Sequence, residues 1–561
     1  MKINGSIILV LMLLWVVSCT AREKQDNDWG VYPDEPSETD GWRSALYPDD
    51  WTPGYSDGQG RFLHDFSYAG YHSGLDRIPD ISLNVTDVTE SPYFADKEGI
   101  SDATSAIQKA IDDVSAKGGG VVYIPAGTYV LSLPAGKSNV LSVTKNNVII
   151  RGAGPDKTFL KNTTTDMRSK TIISFNGSAS WDSPQGAEAM LTEDVLLPST
   201  VIPVDGAGSF APGDKVMIKS DVTDAFREEH KVGDNWDNLT KGPHFLREVV
   251  SVDAAAGTVT VDVPTRYPMK TRDNARMYRV KDQLKECGIE NIAIANVQNP
   301  VETGWGEEDY NTSGNGSYQV HASHVIKFRN AENCWARNVY TWRPEGNDED
   351  VHILSNGIEI GDSRFVTVTG CNIQRSQYEG GGGNGYMYTL SGNDCLLEEC
   401  VAEHGRHNYD FKSMTSNGNV LYRCTSKDPS LASDFHMHLS MANLIDGFVA
   451  DGDHIDASFR PWGSAKAVHM YTTTESVIWN TTGLKADGGG VLVVSKQYGN
   501  GYVIGTQGAV TSVTTQPVSG TQNGKSYDTS PEDFVEGVGM GATLQPQSLY
   551  KDQLKKRQER L

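Results

Sequence analysis

A set of cationic and aromatic side chains recurs at one spacing in the second half of the chain. Lys412, His436 and Arg460 are each 24 residues apart, and Tyr388 lies 24 residues before Lys412. If each interval is one turn of a repeating β structure, the four side chains form an outward column with neighbours about 4.8 Å apart. Like charges at that spacing repel one another. We therefore interpret the column as a site for an anionic ligand.

The column contains the groups that β-elimination from a uronic-acid sugar requires. That reaction needs a cation beside the carboxylate, a base for the C5 proton and an acid for the departing O4. Because neighbouring cations favour proton loss, Lys412 or His436 is predicted to be the base. Arg460, with Lys412 as the alternative, is predicted to neutralise the carboxylate, and His407 or Tyr409 to donate the proton.

Further side chains of the same predicted face are expected to contact the sugar chain. Glycine-rich residues 379–385 and residues 463–471 flank this face, and loops on a rigid scaffold commonly carry binding groups. The predicted substrate-binding residues are Tyr386, Tyr388, Arg406, Asp410, Asp434, His438, Trp462 and His469.

Two other functions fit the same residues. A glycoside hydrolase needs two carboxyl groups, and Asp410 and Asp434 occupy matching positions one repeat apart; Asp451, Asp453 and Asp456 are further candidates. A non-catalytic glycan-binding protein would need the aromatic and cationic side chains but no activated base. Cleavage by β-elimination is the function that we predict, with these two as alternatives.

No cofactor is required by the predicted reaction, but a calcium ion is possible. The acidic segment 348–350 could supply the oxygen ligands that Ca²⁺ prefers. The cysteines after Cys19 show no CxxC pair and no zinc-type spacing with histidine. We predict instead that Cys371, Cys400 and Cys424 form one inward column with Phe448.

An internal repeat predicts the fold that would place these side chains. Related segments begin at Cys395, Asn419 and Asn443, which are 24 residues apart. One coil for every 24 or so residues is typical of a parallel β-helix. A second set with the same interval is predicted to point inward, and it consists of Phe411, Phe435 and Phe459.

The N-terminal part of the chain carries a family motif. The pattern D-x-T-x-A-I-Q-x-A-I begins at residue 102, and GGG-V-V-Y-I-P-x-G-T-Y follows over residues 118–129. This segment resembles the opening of the pectate-lyase-like superfamily. The resemblance implies an all-β fold, a single-stranded right-handed parallel β-helix whose N-terminal end is capped by the helix. It also implies activity on a polysaccharide, without identifying the glycan.

The remaining sequence suggests the domain boundaries. Residues 59–545 are predicted to be the β-helix domain, interrupted at about 185–280 by a small β insertion with short alternating segments. Residues 19–58 are acidic and rich in proline and glycine, which indicates a flexible linker. Residues 546–561 are predicted to be a C-terminal tail, in which residues 552–561 form a short exposed helix.

The first residues predict the compartment. Residues 1–18 combine an early lysine with a short apolar run, as in a signal peptide, and end at Cys19 in a lipobox-like sequence. We predict lipidation of Cys19, export, and anchoring to a membrane of the bacterial cell envelope, either the outer membrane or the cell surface. The formal net charge of −23 argues against a nucleic-acid partner.

Overall fold

The computed structural model describes residues 41–464, 466–487 and 489–561. The predicted signal peptide, Cys19 and the first part of the predicted linker lie outside these residues. None of the described helices is long and apolar enough to cross a membrane. The described helices, including short 3-10 turns, are Tyr71–Gly74, Thr104–Ala116, Ala207–Ser209, Asp224–Glu229, Gly233–Trp236, Thr271–Asp273, Asp309–Asn311, Gly316–Val320, Gly541–Thr543 and Leu549–Arg560.

Parallel strands stacked coil upon coil form the body of the protein, as the repeat and the motif predicted. One long parallel sheet, here called the outer sheet, runs along the whole helix. Its strands are Val85–Asp87, Glu98–Asp102, Gly120–Ile124, Gly127–Leu131, Val148–Gly152, Thr158–Asn162, Gly288–Asn296, Trp335–Thr341, Thr367–Thr369, Asn372–Gln374, Leu396–Glu398, Val401–Glu403, Val420–Tyr422, Thr425–Lys427, Leu444–Asp446, Val449–Asp451, Val477–Lys485, Tyr502–Gly508 and Phe534–Glu536.

A second parallel sheet, here called the groove sheet, forms another face of the helix. Its strands pair in chain order from one end of the helix to the other. They are Asn139–Val143, Thr171–Asn176, His324–Arg329, Asn356–Arg364, Tyr386–Asn393, His407–Lys412, Ser433–Met437, Ile455–Ala457, Val493–Ser495 and Val513–Thr514, with the short strands Leu284–Lys285 and Ala331–Glu332 at one side.

The 24-residue interval is confirmed in the outer sheet. Leu396 pairs with Val420, and Val420 pairs with Leu444. At the turn before these strands, the side-chain oxygen of Asn419 accepts a hydrogen bond from the backbone N–H of Cys395. The side-chain oxygen of Asn443 accepts one from the backbone N–H of Asn419. These stacked asparagine side chains thus provide acceptors for backbone N–H groups that the tight turn would otherwise leave unpaired inside the helix.

The interior between the sheets is apolar and contains the predicted cysteine column. Cys371, Cys400 and Cys424 are free thiols, and all are buried in the same cluster as Phe448. Burial raises the pKa of the Cys424 thiol well above its usual value, so the thiol stays protonated and unreactive.

An amphipathic helix, Thr104–Ala116, closes the N-terminal end. Ile107, Ile111 and Val114 lie on its buried face, and the Thr104 amide donates to the Asp102 carboxylate at 2.7 Å. The glycine run after the helix allows close chain approach: at Gly120, with φ of +145°, a Cβ would lie 2.6 Å from a backbone oxygen. The capping helix of the predicted fold is thereby confirmed.

The predicted β insertion is an antiparallel sheet. Its six strands in the described chain are Ala189–Met190, Val201–Pro203, Lys215–Lys219, His244–Asp253, Thr258–Val261 and Arg276–Arg279. A buried ionic network joins it to the β-helix: the Asp394 carboxylate lies 3.1 Å from Arg247 and 2.6 Å from Arg266. All three side chains are at most 1 % exposed. Arg364, also buried, pairs with Glu332 at 3.2 Å.

Both ends of the described chain differ from the sequence predictions. Within the predicted linker, Leu46, Tyr47 and Trp51 are buried against the outer sheet. The predicted exposed tail instead packs as the helix Leu549–Arg560, and Tyr47 donates to Asp552 of this helix at 2.6 Å. The outer sheet carries apolar side chains on its outward face, and the two chain ends shield them from water.

Two further paired structures complete the described chain. The antiparallel hairpin Arg460–Ser464 and Ala467–Met470, here called the groove hairpin, stands beside the groove sheet. A second antiparallel pair is Ser519–Gln522 and Lys525–Asp528, and a short parallel pair is Ser440–Met441 and Thr473–Thr474. The groove hairpin forms one wall of the candidate site.

Candidate active site

A groove of about 900 Å³ lies on the outward face of the groove sheet. Residues 381–383 border it on one side and the groove hairpin borders it on the other. Trp462 on that hairpin is 56 % exposed, which leaves its ring available for stacking. The predicted residues that line the groove are Tyr386, Arg406, Lys412, His436, Trp462 and His469.

Tyr386 is the centre of this arrangement. Its hydroxyl lies 3.2 Å from His436 Nε2 and 3.4 Å from Arg406 Nη1. Its ring stacks on His407 at 4.9 Å between centroids, and Lys412 Nζ lies 3.7 Å from the ring centroid. Burial raises the pKa of Tyr386, so the phenol keeps its proton at neutral pH.

Asp434 lies beneath the groove and orients the histidine. Its Oδ2 accepts from Arg460 Nη1 at 2.6 Å and lies 3.0 Å from His436 Nδ1. Burial alone would raise the pKa of Asp434, but His407, Arg460 and His436 together hold it well below its ordinary value. The carboxylate is therefore ionised and acts as a fixed hydrogen-bond acceptor.

The hydrogen bonds around His436 determine its tautomer. Arg460 Nη1 also lies 3.1 Å from Nδ1, but its two hydrogens are used by Asp434 and by the His436 carbonyl oxygen at 3.1 Å. Nδ1 therefore donates to Asp434, and Nε2 keeps its lone pair. Burial lowers the pKa of His436 to about 3, which leaves the ring neutral at neutral pH. The Tyr386 hydroxyl lies 3.2 Å from Nε2 and 3.5 Å from Nδ1, beside the ring.

Lys412 is a charged group rather than the base that the cation column suggested. Burial would lower its pKa, but Asp410, whose carboxylate lies 3.0 Å away, and Tyr386 outweigh burial and raise the pKa. The ammonium group stays protonated at neutral pH and faces the groove. The prediction that Lys412 loses its proton and acts as the base is therefore wrong. The spacing of the cations along the sequence did not show that the Asp410 carboxylate lies 3.0 Å from the Lys412 ammonium group.

Two predicted tyrosines point into the core instead. Tyr388 and Tyr409 stack with centroids 5.1 Å apart and are at most 1 % exposed. Their hydroxyls donate to backbone carbonyls, that of Tyr388 to Val401 and that of Tyr409 to Cys400. The strands pair Tyr388 with Tyr409 rather than with Lys412, so this coil is shorter than the interval assumed from the sequence. That interval therefore placed Tyr388 on the wrong face of the strand.

The predicted role of Arg460 as a groove cation is also wrong. The side chain is buried, and its guanidinium is held by Asp434 and by Asp456 at 2.9 Å. Asp434 pairs with Asp456, so this coil too is shorter than the assumed interval. Counting the full interval from His436 therefore leads to Arg460, which lies beyond the end of the strand Ile455–Ala457. For the same reason Phe459 packs with the insertion, although Phe411 and Phe435 stack in the core as predicted, at 4.8 Å.

Three other predicted substrate contacts lie outside the groove. Asp410 and Asp434 are 0 % and 3 % exposed, beneath its floor. His438 borders a neighbouring cavity, and its Nε2 lies 3.2 Å from the Ala467 carbonyl oxygen. Asp410 and Asp434 therefore support Lys412 and His436 from below and do not reach a sugar.

Sequence reasoning missed several groove residues from earlier coils. His324 and Lys327 lie 2.7 and 3.0 Å from the Glu359 carboxylate, and all three line the groove with Glu307 and Glu308. Lys327 pairs with Glu359 on the next strand, across a coil longer than the assumed interval. A search at one fixed interval could not find this pair, whereas a search for alternating segments of variable spacing would have included both strands.

The described side chains give no convincing metal site. His407, Asp434 and His436 have potential ligand atoms within 4.8 Å of one another. However, Asp434 is already neutralised by Arg460, and His407 Nδ1 donates to the Ala432 carbonyl oxygen at 2.6 Å. The predicted calcium loop at residues 348–350 is exposed, and Asp350 pairs with Arg375. We therefore derive no step through a metal ion.

The buried histidines predict a dependence of stability on pH. Burial lowers the pKa of His407 to about 4, compared with about 6.5 in an unfolded chain. Between these values the unfolded state binds more protons, so stability falls as the pH drops from about 6.5 to about 4. Replacing His407 by asparagine removes one titrating group, so the number of protons that unfolding takes up in this range should fall by about one. The asparagine amide can still donate to the Ala432 carbonyl oxygen, which keeps the structural contact. Urea unfolding across this range measures the slope, and an unchanged slope would contradict the assignment.

One family model matches part of the chain. Residues 83–197 match the model for "Rhamnogalacturonase A/epimerase, pectate lyase-like". A mannuronan C5-epimerase of Azotobacter vinelandii is 48% identical over 64 residues, which are 11% of this chain and 6% of the epimerase. An alginate lyase of the same organism is 43% identical over 69 residues, 12% of this chain and 8% of the lyase. The chain thus covers only a small part of the length of these relatives.

Two solved structures align with most of this chain at low sequence identity. The tailspike protein gp49 of Pseudomonas phage LKA1 has a TM-score of 0.35 and 12% identity, covering 76% of this chain and 77% of the tailspike. An A. vinelandii mannuronan C5-epimerase A-module has a TM-score of 0.25 and 12% identity, covering 81% and 94%. The matched residues 83–197 contain the N-terminal motif and the capping helix, and the described chain as a whole has the stacked parallel coils of a right-handed β-helix.

Proposed function

We propose that this protein cleaves a uronic-acid-containing polysaccharide by β-elimination in the groove. The observation that carries the proposal is the 3.2 Å approach of the Tyr386 hydroxyl to the free Nε2 of His436 beside a charged Lys412. An acid, a base and a cation are thereby present at one place in a groove that is open to a sugar chain.

The base in this mechanism is His436. The ring is neutral at neutral pH, and Asp434 holds its Nδ1–H so that Nε2 faces the groove. Nε2 takes the C5 proton of the bound uronate, and the C5 electron pair forms the C4–C5 double bond as the C4–O4 bond breaks. Burial disfavours the imidazolium that results, and the Asp434 carboxylate opposes that effect and so stabilises the charged ring.

Tyr386 supplies the proton that the departing O4 requires. Its raised pKa keeps the hydroxyl protonated until the leaving oxygen approaches. Because Tyr386 and His436 lie side by side, both act from the same face of the sugar. The proton on His436 then returns to the Tyr386 oxygen and restores the starting state. C5 epimerisation would instead need a donor on the opposite face, so this geometry favours elimination.

Lys412 and Arg406 are the groups that stabilise the carboxylate. Removing the C5 proton places negative charge next to the carboxylate, so a fixed cation there lowers the barrier. Lys412 is held by Asp410 below the floor and by the Tyr386 ring. Arg406 lies on the other side of the Tyr386 hydroxyl, at 3.4 Å.

The similarity to known proteins supports uronate chemistry. The names of two relatives, a mannuronan C5-epimerase and an alginate lyase, denote reactions that can share removal of a C5 proton. The hydrolase alternative is not supported by Asp410 and Asp434, because neither lines the groove. A glycan-binding protein without activity is the alternative that an assay of binding and turnover would identify.

The test is to incubate protein lacking residues 1–19 with polymannuronate, polygalacturonate, rhamnogalacturonan and hyaluronan. Elimination gives an unsaturated uronate whose ultraviolet absorbance increases with time. New reducing ends without that absorbance would indicate hydrolysis, and a change in sugar configuration seen by NMR would indicate epimerisation. Binding without any reaction would contradict the catalytic proposal.

The compartment is part of the same proposal. A glycan-cleaving protein that is exported and anchored through lipid at Cys19 would meet its polymer outside the cell. Mass spectrometry of the N-terminal peptide from the membrane fraction of the producing bacterium measures the acyl chains directly. An unmodified Cys19, or a cleavage site elsewhere, would contradict the anchor.

A further inference from the structure

The charged side chains that line the groove balance one another. Three are cationic and three are carboxylates in this part of the described structure: Lys327, Arg406, Lys412, Glu307, Glu308 and Glu359. Burial lowers the pKa values of His324, His436 and His469, so the histidines add no charge at neutral pH. The groove walls are therefore formally neutral, in a protein whose net charge is −23.

The carboxylates lie at two places in the groove lining, one on the strand Asn356–Arg364 and the other at Glu307 and Glu308. Burial would raise the pKa of Glu359, but His324 and Lys327 outweigh burial and lower it, so Glu359 is ionised. At the second place, the Glu307 carboxylate lies 3.5 Å from Arg406 Nη2, and Glu308 is exposed. Lys327 and Arg406 thus already have acidic partners in the groove itself.

Lys412 differs from these two cations in the position of its partner. The carboxylate that balances it belongs to Asp410, which is fully buried beneath the floor. Glu359 pairs with Thr389 on the next strand, and Thr389 pairs with Asp410 on the strand after that. The backbone of Glu359 therefore lies two strand spacings, about 10 Å, from that of Asp410. A carboxylate bound at Lys412 meets a cation, whereas one on a neighbouring sugar meets Glu359 or the Glu307–Glu308 edge.

From this pattern we infer that the substrate carries isolated carboxylates, with neutral sugars next to the uronate that reacts. This inference rests on the proposed function and specifies its substrate class. A polymer with a carboxylate on every sugar would place like charges against the groove walls, which lowers affinity for that partner. A heteropolysaccharide in which uronate alternates with neutral sugars avoids this repulsion.

The experiment compares the intact and the partly reduced form of the same polymer, which differ in charge density. Polymannuronate and polygalacturonate are each prepared intact and with a fraction of their carboxyl groups reduced to alcohols. Hyaluronan, in which glucuronate alternates with a neutral sugar, is the third probe. Calorimetry measures binding separately from turnover. We expect the reduced polymers to bind tighter than the intact ones by about tenfold at low salt, and this difference to shrink as salt is added.

Two variants test whether the named carboxylates cause this preference. Glu359→Gln and the exposed-edge variant Glu308→Gln should each bring the affinities for intact and reduced polymers closer together. Asp362→Asn is the matched control, because it removes a carboxylate from the same strand, Asn356–Arg364, outside the groove. Glu308 is exposed, so its variant tests the inference even if Glu359→Gln does not fold.

The outcomes separate this inference from the proposed function. Equal or tighter binding of the intact polymers, no binding of any probe, or an unchanged preference in both groove variants would overturn the inference. Tighter binding of the reduced polymers without any product would support the inference and contradict only the catalytic proposal.

Discussion

Replacing Tyr386 by phenylalanine is expected to reduce turnover of a uronate polymer by about 10²–10⁴-fold, the usual contribution of a general acid. The change removes one oxygen and keeps the ring that stacks on His407 and faces Lys412. Polymer affinity should therefore stay close to that of the wild type, so the loss appears in kcat. Initial rates of unsaturated product and calorimetric binding of the same polymer measure the two effects.

Tyr388→Phe is the matched control for this prediction. It removes the same oxygen from the same strand, but that hydroxyl is buried and donates to Val401. We expect a loss of about 1 kcal/mol in the free energy of unfolding, with kcat unchanged. If Tyr386→Phe retained full turnover, another group would have to protonate O4, and the role proposed for Tyr386 would be wrong.

The largest expected effect on stability comes from Asp394. Replacing it by alanine leaves Arg247 and Arg266 buried without their shared carboxylate. Removing one partner of a buried ion pair costs about 3–5 kcal/mol, because the remaining charge has lost its compensation. We expect a decrease of that size in the free energy of unfolding, measured by urea denaturation. The junction between the insertion and the β-helix should lose protection from hydrogen exchange first.

An exposed ion pair provides the comparison for Asp394. Asp428 lies 2.8 Å from Lys485, and both side chains are largely accessible to water. Exposed pairs contribute about 0–1 kcal/mol, so Asp428→Asn should leave the unfolding midpoint nearly unchanged. Similar losses from Asp394→Ala and Asp428→Asn would show that the network does not hold the insertion in place.

Much of the fold could be predicted because it depends on local patterns. The apolar spacing of Ile107, Ile111 and Val114 predicts the capping helix, and the recurrence of Cys395, Asn419 and Asn443 predicts the coils. The ends of the chain could not be predicted in the same way. Leu46 and Tyr47 lie in an acidic segment, and they are ordered only because the outer sheet offers an apolar surface to cover.

The candidate site was predicted only in part, because coils of this β-helix differ in length. His436 and Lys412 are groove residues, as their spacing indicated. Tyr388, however, pairs with Tyr409, so that coil is shorter than the repeat interval, and the coil that follows Asp434 is shorter as well. Side chains alternate between the two faces of a strand, so the odd error in the first coil moves Tyr388 from the groove face to the core face. The even error in the second coil does not change the face, but it places Arg460 beyond the end of the strand Ile455–Ala457.

By itself, the sequence determined the fold class, the capping helix, the insertion and the region of the chain that lines the groove. These follow from periodicity and residue type, which neighbouring positions in the chain define. Only the tertiary structure decided that Tyr386 approaches His436, that Asp410 keeps Lys412 charged, and that Glu359 lines the groove. Each of these facts depends on which strands pair and in what register, and loops of unequal length set that register across distant parts of the chain.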